Sequence, residues 1–443
     1  MRVYVLSADN IVCDERGEEA MTDPETSSPS STEGQSDIVI TRDFIQSLPK
    51  TDLHVHLDGS IRINTLIDLA QDYAVDLPSY TEEGLRDLVF KDRYNSLGDY
   101  LKGFAYSVAV MQSEVALERV AYEFAVDNFS EGVRYFEVRF APQLHVHQHM
   151  NTVMVLKAVN RGLTRAKSEY NRSAAIINGQ EPPFEYGIIV CAMRMFNDKF
   201  SEYYNNLLSA HRYTPAKQVF GMASLELVRA AIIARDEHGL PVVGFDLAGE
   251  EAGYPAEDHE QAFAYAHKNF LKKTVHAGEA YGPESIFQAI TDLYADRIGH
   301  GTYLLEADAI TDPEIKDPHH YIEQLSQYIA DRRITLEICL TSNLQTNPQM
   351  DSLSDHSFRK LRQHRLSTTI CTDNRTVSNT SVTRELMLAV EHLNLDLNDL
   401  KSIIVYGFKR SFMPTTYLEK RAYVRKIIDF YEDQERAFLA QNG

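Results

Sequence analysis

Positive charge is scarce in this sequence. Its 44 Lys and Arg face 64 Asp and Glu, giving a formal net charge of −20 at pH 7 and a pI near 5.2. So acidic a chain lacks the electrostatic footprint of a protein that grips nucleic acid or an anionic membrane. It suits a protein acting on a neutral or locally neutralised small molecule. Cysteine is sparse too, with four residues, Cys13, Cys191, Cys339 and Cys371, and no C-x-x-C pair. That spacing excludes a zinc ribbon and a thioredoxin-like motif. The last three lie in apolar, strand-like runs, where a buried free thiol is expected, as in a reducing compartment. No apolar run approaches the ~20 residues that span a bilayer. The opening MRVYVLSADNIVCDERGEEA has a short apolar patch followed by acids, unlike a signal peptide. The expected address is the cytoplasm.

What is present is an ordinary globular composition, 44% hydrophobic and 24% charged over 443 residues. That length allows one large α/β domain with insertions or two smaller ones. Residues 1–41 read as a weakly ordered tail. Within it MTDPETSSPSSTEGQS (21–36) has almost no apolar side chains to bury, and Met21 is a candidate start of translation. From residue 42 a short capped helix delivers the chain to a series of β-rich runs: Asp52–Leu57, Tyr135–Phe140, Tyr186–Met193, Val242–Leu247, Lys273–His276, Arg297–Gly299, Thr335–Ile338 and Thr368–Thr372. Amphipathic helical patterns such as EVALERVAYEFAVDNFSEG separate them. This alternation predicts an α/β fold, a (β/α)8 TIM barrel over 42–443 as a single domain, with additional helices after the first strand. A doubly wound sheet is the competing architecture, but no glycine-rich phosphate turn follows any strand. Residues 172–185 read as a surface loop.

The stretch TDLHVHLDGS carries the first chemical signal. His54 and His56 are one residue apart in a strand, so both imidazoles project from one face. A converging imidazole pair is a metal-ligand pattern, most often for zinc. The other strands end in equally polar residues: Gly249 in VVGFDLAGE, His276 and Glu279 in TVHAGEA, His300 in RIGHGT, Asp373 and Asn374 in TTICTDN. In a barrel such ends meet at one face. Each has an ordinary reading taken singly: His276 as a core histidine, Asp373 as a helix cap. Together, three histidines and an aspartate (His54, His56, His276, Asp373) make an open site suited to Zn²⁺ holding a water or hydroxide. His300 and Asp373 would orient that oxygen and take its proton, and Glu279 would give a proton to the substrate from the other side.

TDLHVHLDGS, VVGFDLAGEE, HAGEAYGPES, DRIGHGT, CLTSNLQT and the Thr-Asp pair of CTDN, in this order over roughly residues 45–430, together resemble the adenosine deaminase family. The resemblance implies a zinc-dependent (β/α)8 hydrolase, one Zn²⁺ per chain, that converts adenosine and 2′-deoxyadenosine to the inosines and ammonia. It implies zinc ligands at His54, His56, His276 and Asp373, a proton donor to purine N1 at Glu279, and a hydroxide-orienting group at His300. It also implies ribose binding by Asp58, with His56 beside it, and an N3 contact from the Gly249 N–H. Asn374 departs from the family pattern, which has a second Asp there to bind purine N7. N7 only accepts, and an amide donates at any pH, so Asn374 is expected to keep adenine recognition. The other zinc deaminase signature, H-x-E with P-C-x-x-C, is absent. The closest alternatives are a deaminase of AMP, adenine or an N6-modified nucleoside, and a barrel kept as a binding module. His145, His147 and His149 read as a solvated loop. Tyr94, Leu101, Phe104 and Tyr106 are candidate lid residues, and Lys102 has no assigned place.

Overall fold

The alternation of strand and helix closes on itself. A computed structural model describes residues 39–442, and most of the expected tail at 1–41, with Cys13 and Met21, lies outside the described residues. Eight strands follow chain order, each parallel to the next: β1 Lys50–His56, β2 Val133–Phe140, β3 Glu185–Met193, β4 Val242–Ala248, β5 Lys272–Ala277, β6 Arg297–His300, β7 Thr335–Ile338 and β8 Ser367–Ile370. Each lies within two residues of its expected bounds. All of β2 and β4 is buried, as strands covered on both faces require. The result is the (β/α)8 barrel.

The seam between β8 and β1 is held at one level above the end of β8. Asp373 N–H donates to the His54 carbonyl at 2.8 Å, and His56 N–H donates to the Asp373 carbonyl at 2.7 Å. Just below, the Asp52 carboxylate accepts from Thr372 N–H at 3.2 Å and Thr372 Oγ1 at 2.6 Å. Closing the barrel therefore sets Asp373 between the two histidines of β1. The same hydrogen bonds that join the seam thus hold Asp373 in the site.

Between β1 and β2 lie the extra helices: Ile63–Asp72, Glu82–Leu88, Leu97–Leu101, Phe104–Val110 and Glu114–Ser130. Thr81, Ser96 and Ser113 start three of them, each accepting an N–H of the first turn through its side chain. The 172–185 stretch contains a short helix, Ala174–Ile177. His145 corrects the loop reading: the 3₁₀ turn Pro142–His145 tucks its ring into the interior at 0% exposure, 6.0 Å from the Phe140 ring. His149 is exposed, and no carboxylate joins these three histidines in a metal-binding set among the described residues. Among the same residues, no helix is long and apolar enough to cross a membrane.

Candidate active site

A cavity of about 700 Å³ opens at the carboxyl ends of the strands. Its wall includes His56, Asp58, Gly249, His276, Glu279, His300, Asp373 and Asn374, eight of the nine residues singled out from the sequence. The ninth, His54, lies beneath them at 0% exposure. One donor atom from each of His54, His276, His300 and Asp373 lies within 4.8 Å of the other three. His56 joins them, with Nε2 3.2 Å from His276 Nε2 and 3.5 Å from Asp373 Oδ1. His54 Nε2 is 3.3 Å from the same carboxylate oxygen. Five donors thus converge where four were expected, and geometry alone admits His300 as a ligand.

The partners behind the rings decide where the ring hydrogens sit. His54 Nδ1 lies 2.9 Å from Glu337 Oε2, and His276 Nδ1 lies 3.1 Å from Asp246 Oδ2. An ionised carboxylate can only accept, so each ring carries its hydrogen on Nδ1 and turns a bare Nε2 inward. His54 Nε2 is buried and has no hydrogen-bond partner among the described residues. A buried lone pair without a donor, beside two further imidazole nitrogens and a carboxylate, fits a divalent cation. Ser342 Oγ donates to Asp373 Oδ2 at 2.6 Å and fixes that carboxylate from behind. The imidazoles around Asp373 prevail over burial and hold its carboxyl below the usual range.

Backbone conformation explains why glycine brackets His300. A Cβ on Gly299 would stand 2.9 Å from His54 Cε1, and one on Gly301, at φ +67°, would stand 3.0 Å from Leu336 Cδ2. His300 itself adopts φ +64°. β6 ends by turning sharply where only hydrogen fits beside the His54 ring.

Glu279 is aimed by a different device. The carboxylate of Glu251 accepts the N–H groups of Gly278, Glu279 and Ala280 at 2.8, 3.0 and 2.7 Å, and Ser285 Oγ at 2.6 Å. One side chain therefore moulds the turn after β5. Burial, then the charges of Asp373 and Glu251, push the Glu279 carboxyl well above its ordinary value. That environment favours the protonated acid. Its Oε1 is 3.6 Å from His300 Nε2. Burial likewise pushes Asp58 up to about 7.

A model of the adenosine deaminase family matches residues 49–236 and 220–430. The chain belongs to the adenosine deaminase family. The adenosine deaminase of Mycolicibacterium vanbaalenii is 35% identical over 392 residues, covering 88% of this chain and 96% of that protein. Adenosine deaminase 1 of Streptomyces coelicolor is 36% identical over 390 residues, 87% of each. Among solved structures, the N6-methyl-AMP deaminase of Arabidopsis thaliana is 26% identical, covers 88% of this chain and 98% of its own, and superposes with TM-score 0.66. A zinc-bound cog1816 amidohydrolase from Burkholderia ambifaria shares the fold, with TM-score 0.71 at 19% identity over 92% of this chain and 97% of that one. The protein is thus a hydrolase acting on C–N bonds, with a His/Asp site that fits a metal.

Sequence reasoning missed the deaminase's supporting residues. Glu337, Asp246, Arg139 and Glu251 sit inside strands or in the turn after one, where charge reads as a lapse in an apolar run. A buried charge in a strand interior is the signal that would have found them. Of the candidate lid residues, Leu101 and Phe104 line the cavity. Tyr94 instead packs edge-on against Tyr100, ring centroids 5.1 Å apart. Lys102 reaches the cavity wall but is ion-paired with Asp99 at 2.5 Å.

Proposed function

We propose that the protein hydrolyses adenosine and 2′-deoxyadenosine to inosine and 2′-deoxyinosine, releasing ammonia. The observation that carries this reading is Glu279: a buried carboxyl group on the cavity wall, its pKa raised by burial, beside a converging set of imidazoles and a carboxylate. Proton donation to purine N1 needs an acid of that kind, because protonated N1 makes C6 electrophilic. His54, His56, His276 and Asp373 would hold one Zn²⁺, which when bound lowers the pKa of the attacking water toward neutrality. Glu279 delivers its proton to N1 from one side while His300 holds the oxygen on the other. Water supplies the oxygen that adds to C6; one of its protons restores the Glu279 carboxyl group and the other goes to the amino group, so that the C6–N6 bond breaks and ammonia leaves. Asp58 would bind a ribose hydroxyl, and the Gly249 N–H would donate to N3.

The cavity wall favours a nucleoside over a nucleotide. No arginine lines it, and of its two lysines, Lys102 and Lys199, the first is ion-paired with Asp99. A phosphate group would find no arginine fork to hold it there. The buried, unpaired thiols of Cys191, Cys339 and Cys371 fit a cytoplasmic address. The test is a substrate panel on zinc-loaded protein: adenosine, 2′-deoxyadenosine, AMP, adenine and N6-methyladenosine, followed by ultraviolet change and ammonia release. Turnover of the two nucleosides, abolished by a chelator and restored by zinc, is expected. Turnover of AMP alone would move the substrate, and none at all with zinc bound would promote the binding-module reading.

Asn374, on the cavity wall, would donate to purine N7. Its Nδ2 lies 2.7 Å from Tyr100 Oη, which lies 2.9 Å from Ser378 Oγ, so a residue of the inserted helices steadies the amide. A second Nδ2 hydrogen remains for the purine. Losing one such bond costs about 1–1.5 kcal/mol. Asn374→Ala should therefore lower kcat/KM for adenosine about 10-fold. Unchanged kcat/KM would remove Asn374 from recognition.

A further inference from the structure

We infer that Asn343 and His356 fix which ring nitrogen of His300 carries its hydrogen, making His300 a hydrogen-bond donor to the reacting oxygen rather than a metal ligand or a proton acceptor.

The chain of contacts starts from a group whose hydrogen cannot move. The backbone N–H of Phe358 donates to His356 Nδ1 at 3.0 Å. His356 is 3% exposed, and burial lowers its pKa to about 4, so the ring is neutral near pH 7. With Nδ1 accepting, its one hydrogen is on Nε2. That hydrogen points at Asn343 Oδ1, 3.2 Å away. The oxygen of the amide is thereby turned toward His356 and its NH₂ toward His300, whose Nδ1 lies 3.0 Å from Asn343 Nδ2. Nδ1 of His300 must accept. The reversed amide would set an NH₂ against the His356 N–H, donor against donor, inside a site where Asn343 is 2% exposed and His300 0%.

His300 therefore carries its hydrogen on Nε2. This atom is buried without a partner among the described residues and faces the space shared with Glu279 Oε1 at 3.6 Å. A protonated ring nitrogen has no lone pair for a metal, which reduces the five converging donors to His54, His56, His276 and Asp373. Nor can it take a proton from water. It can hold an oxygen that is gaining negative charge, which is worth most in the transition state. His54 and His276 take the opposite tautomer because carboxylates, not an amide NH₂, stand behind them. The whole relay belongs to the β7–β8 connection. Asn343 lies on the helix Leu340–Thr346, and His356 follows the 3₁₀ turn Leu353–Asp355, which Ser352 and Asp355 cap reciprocally.

The catalytic consequence rests on the deaminase reading, but the tautomer is measurable without turnover. In zinc-loaded protein labelled with ¹⁵N-histidine, two-bond ¹H–¹⁵N correlations should show His300 with a bare Nδ1 and a protonated Nε2. Asn343→Asp keeps the shape and replaces the donor with an acceptor, so the hydrogen should move to Nδ1. The cost should fall on kcat, about 100-fold as for loss of one oxyanion donor, with KM little changed. His356→Phe should free the amide and produce a smaller loss, and His356→Gln, which keeps an N–H donor, should recover most of it. That pair carries the test if Asn343→Asp does not fold. Wild-type His300 protonated on Nδ1 would overturn the relay. A reversed tautomer with wild-type kcat would overturn its catalytic role.

Discussion

Glu279→Gln should lower kcat for adenosine by about 10²–10⁴-fold, the range for losing a positioned general acid, while zinc per chain stays unchanged. Glutamine keeps the size of the side chain and one N–H donor, so it can still contact N1, but it has no proton to release at neutral pH. The defect should therefore appear in kcat more than in KM. Zinc content is the control, because Glu279 lies outside the proposed ligand set. Wild-type protein should also lose activity as pH rises through the elevated pKa of Glu279, since the ionised form cannot donate. Burial and the neighbouring carboxylates Asp373 and Glu251 place that loss above the ordinary carboxyl range. Retention of kcat within tenfold in the variant would mean that N1 takes its proton from elsewhere.

Much of this site was legible in the sequence because the residues that touch substrate and metal end their strands. His54 and His56 alternate in a period-two run, and Glu279 lies three residues beyond His276, so strand assignment alone gathers them at one barrel face. The eight strands were legible because both faces of a parallel sheet are covered and the runs stay apolar. What stayed hidden depends on contacts between distant segments. No local pattern reveals that Glu251 moulds the turn after β5, or that the Phe358 backbone reaches His300 through two side chains. The same limit applies to His145: a histidine in LHVHQH looks solvated until a 3₁₀ turn folds it inward. Sequence orders the chemistry by strand, whereas tautomer and protonation state belong to the packed interior.

Glu337→Gln should weaken the fold and the metal site together. Its Oε2 accepts from His54 Nδ1 at 2.9 Å and from Arg139 Nη2 at 2.9 Å, and its Oε1 accepts from Arg297 Nε at 2.6 Å and Thr274 Oγ1 at 3.0 Å. Asp246 completes the Arg139 pairing at 3.0 Å, and Glu137 pairs with Arg297. All these side chains are buried within the barrel. Arginine and Nδ1–H need acceptors on both sides of Glu337, and an amide offers one. Either Arg297 or the Arg139–His54 side must then face an NH₂ group. Breaking a buried ion pair from one side costs about 3–5 kcal/mol. A lower denaturation midpoint at constant m-value, measured on chelator-treated protein, should register it. If the NH₂ turns toward His54, the ring hydrogen moves to Nε2 and the inward lone pair is lost. Zinc affinity, read by competition with a chromogenic chelator, should then fall about 10–100-fold. A destabilised variant that binds zinc as tightly as wild type would assign Glu337 to the fold alone. Loss of both would make one carboxylate the link between barrel core and catalytic metal.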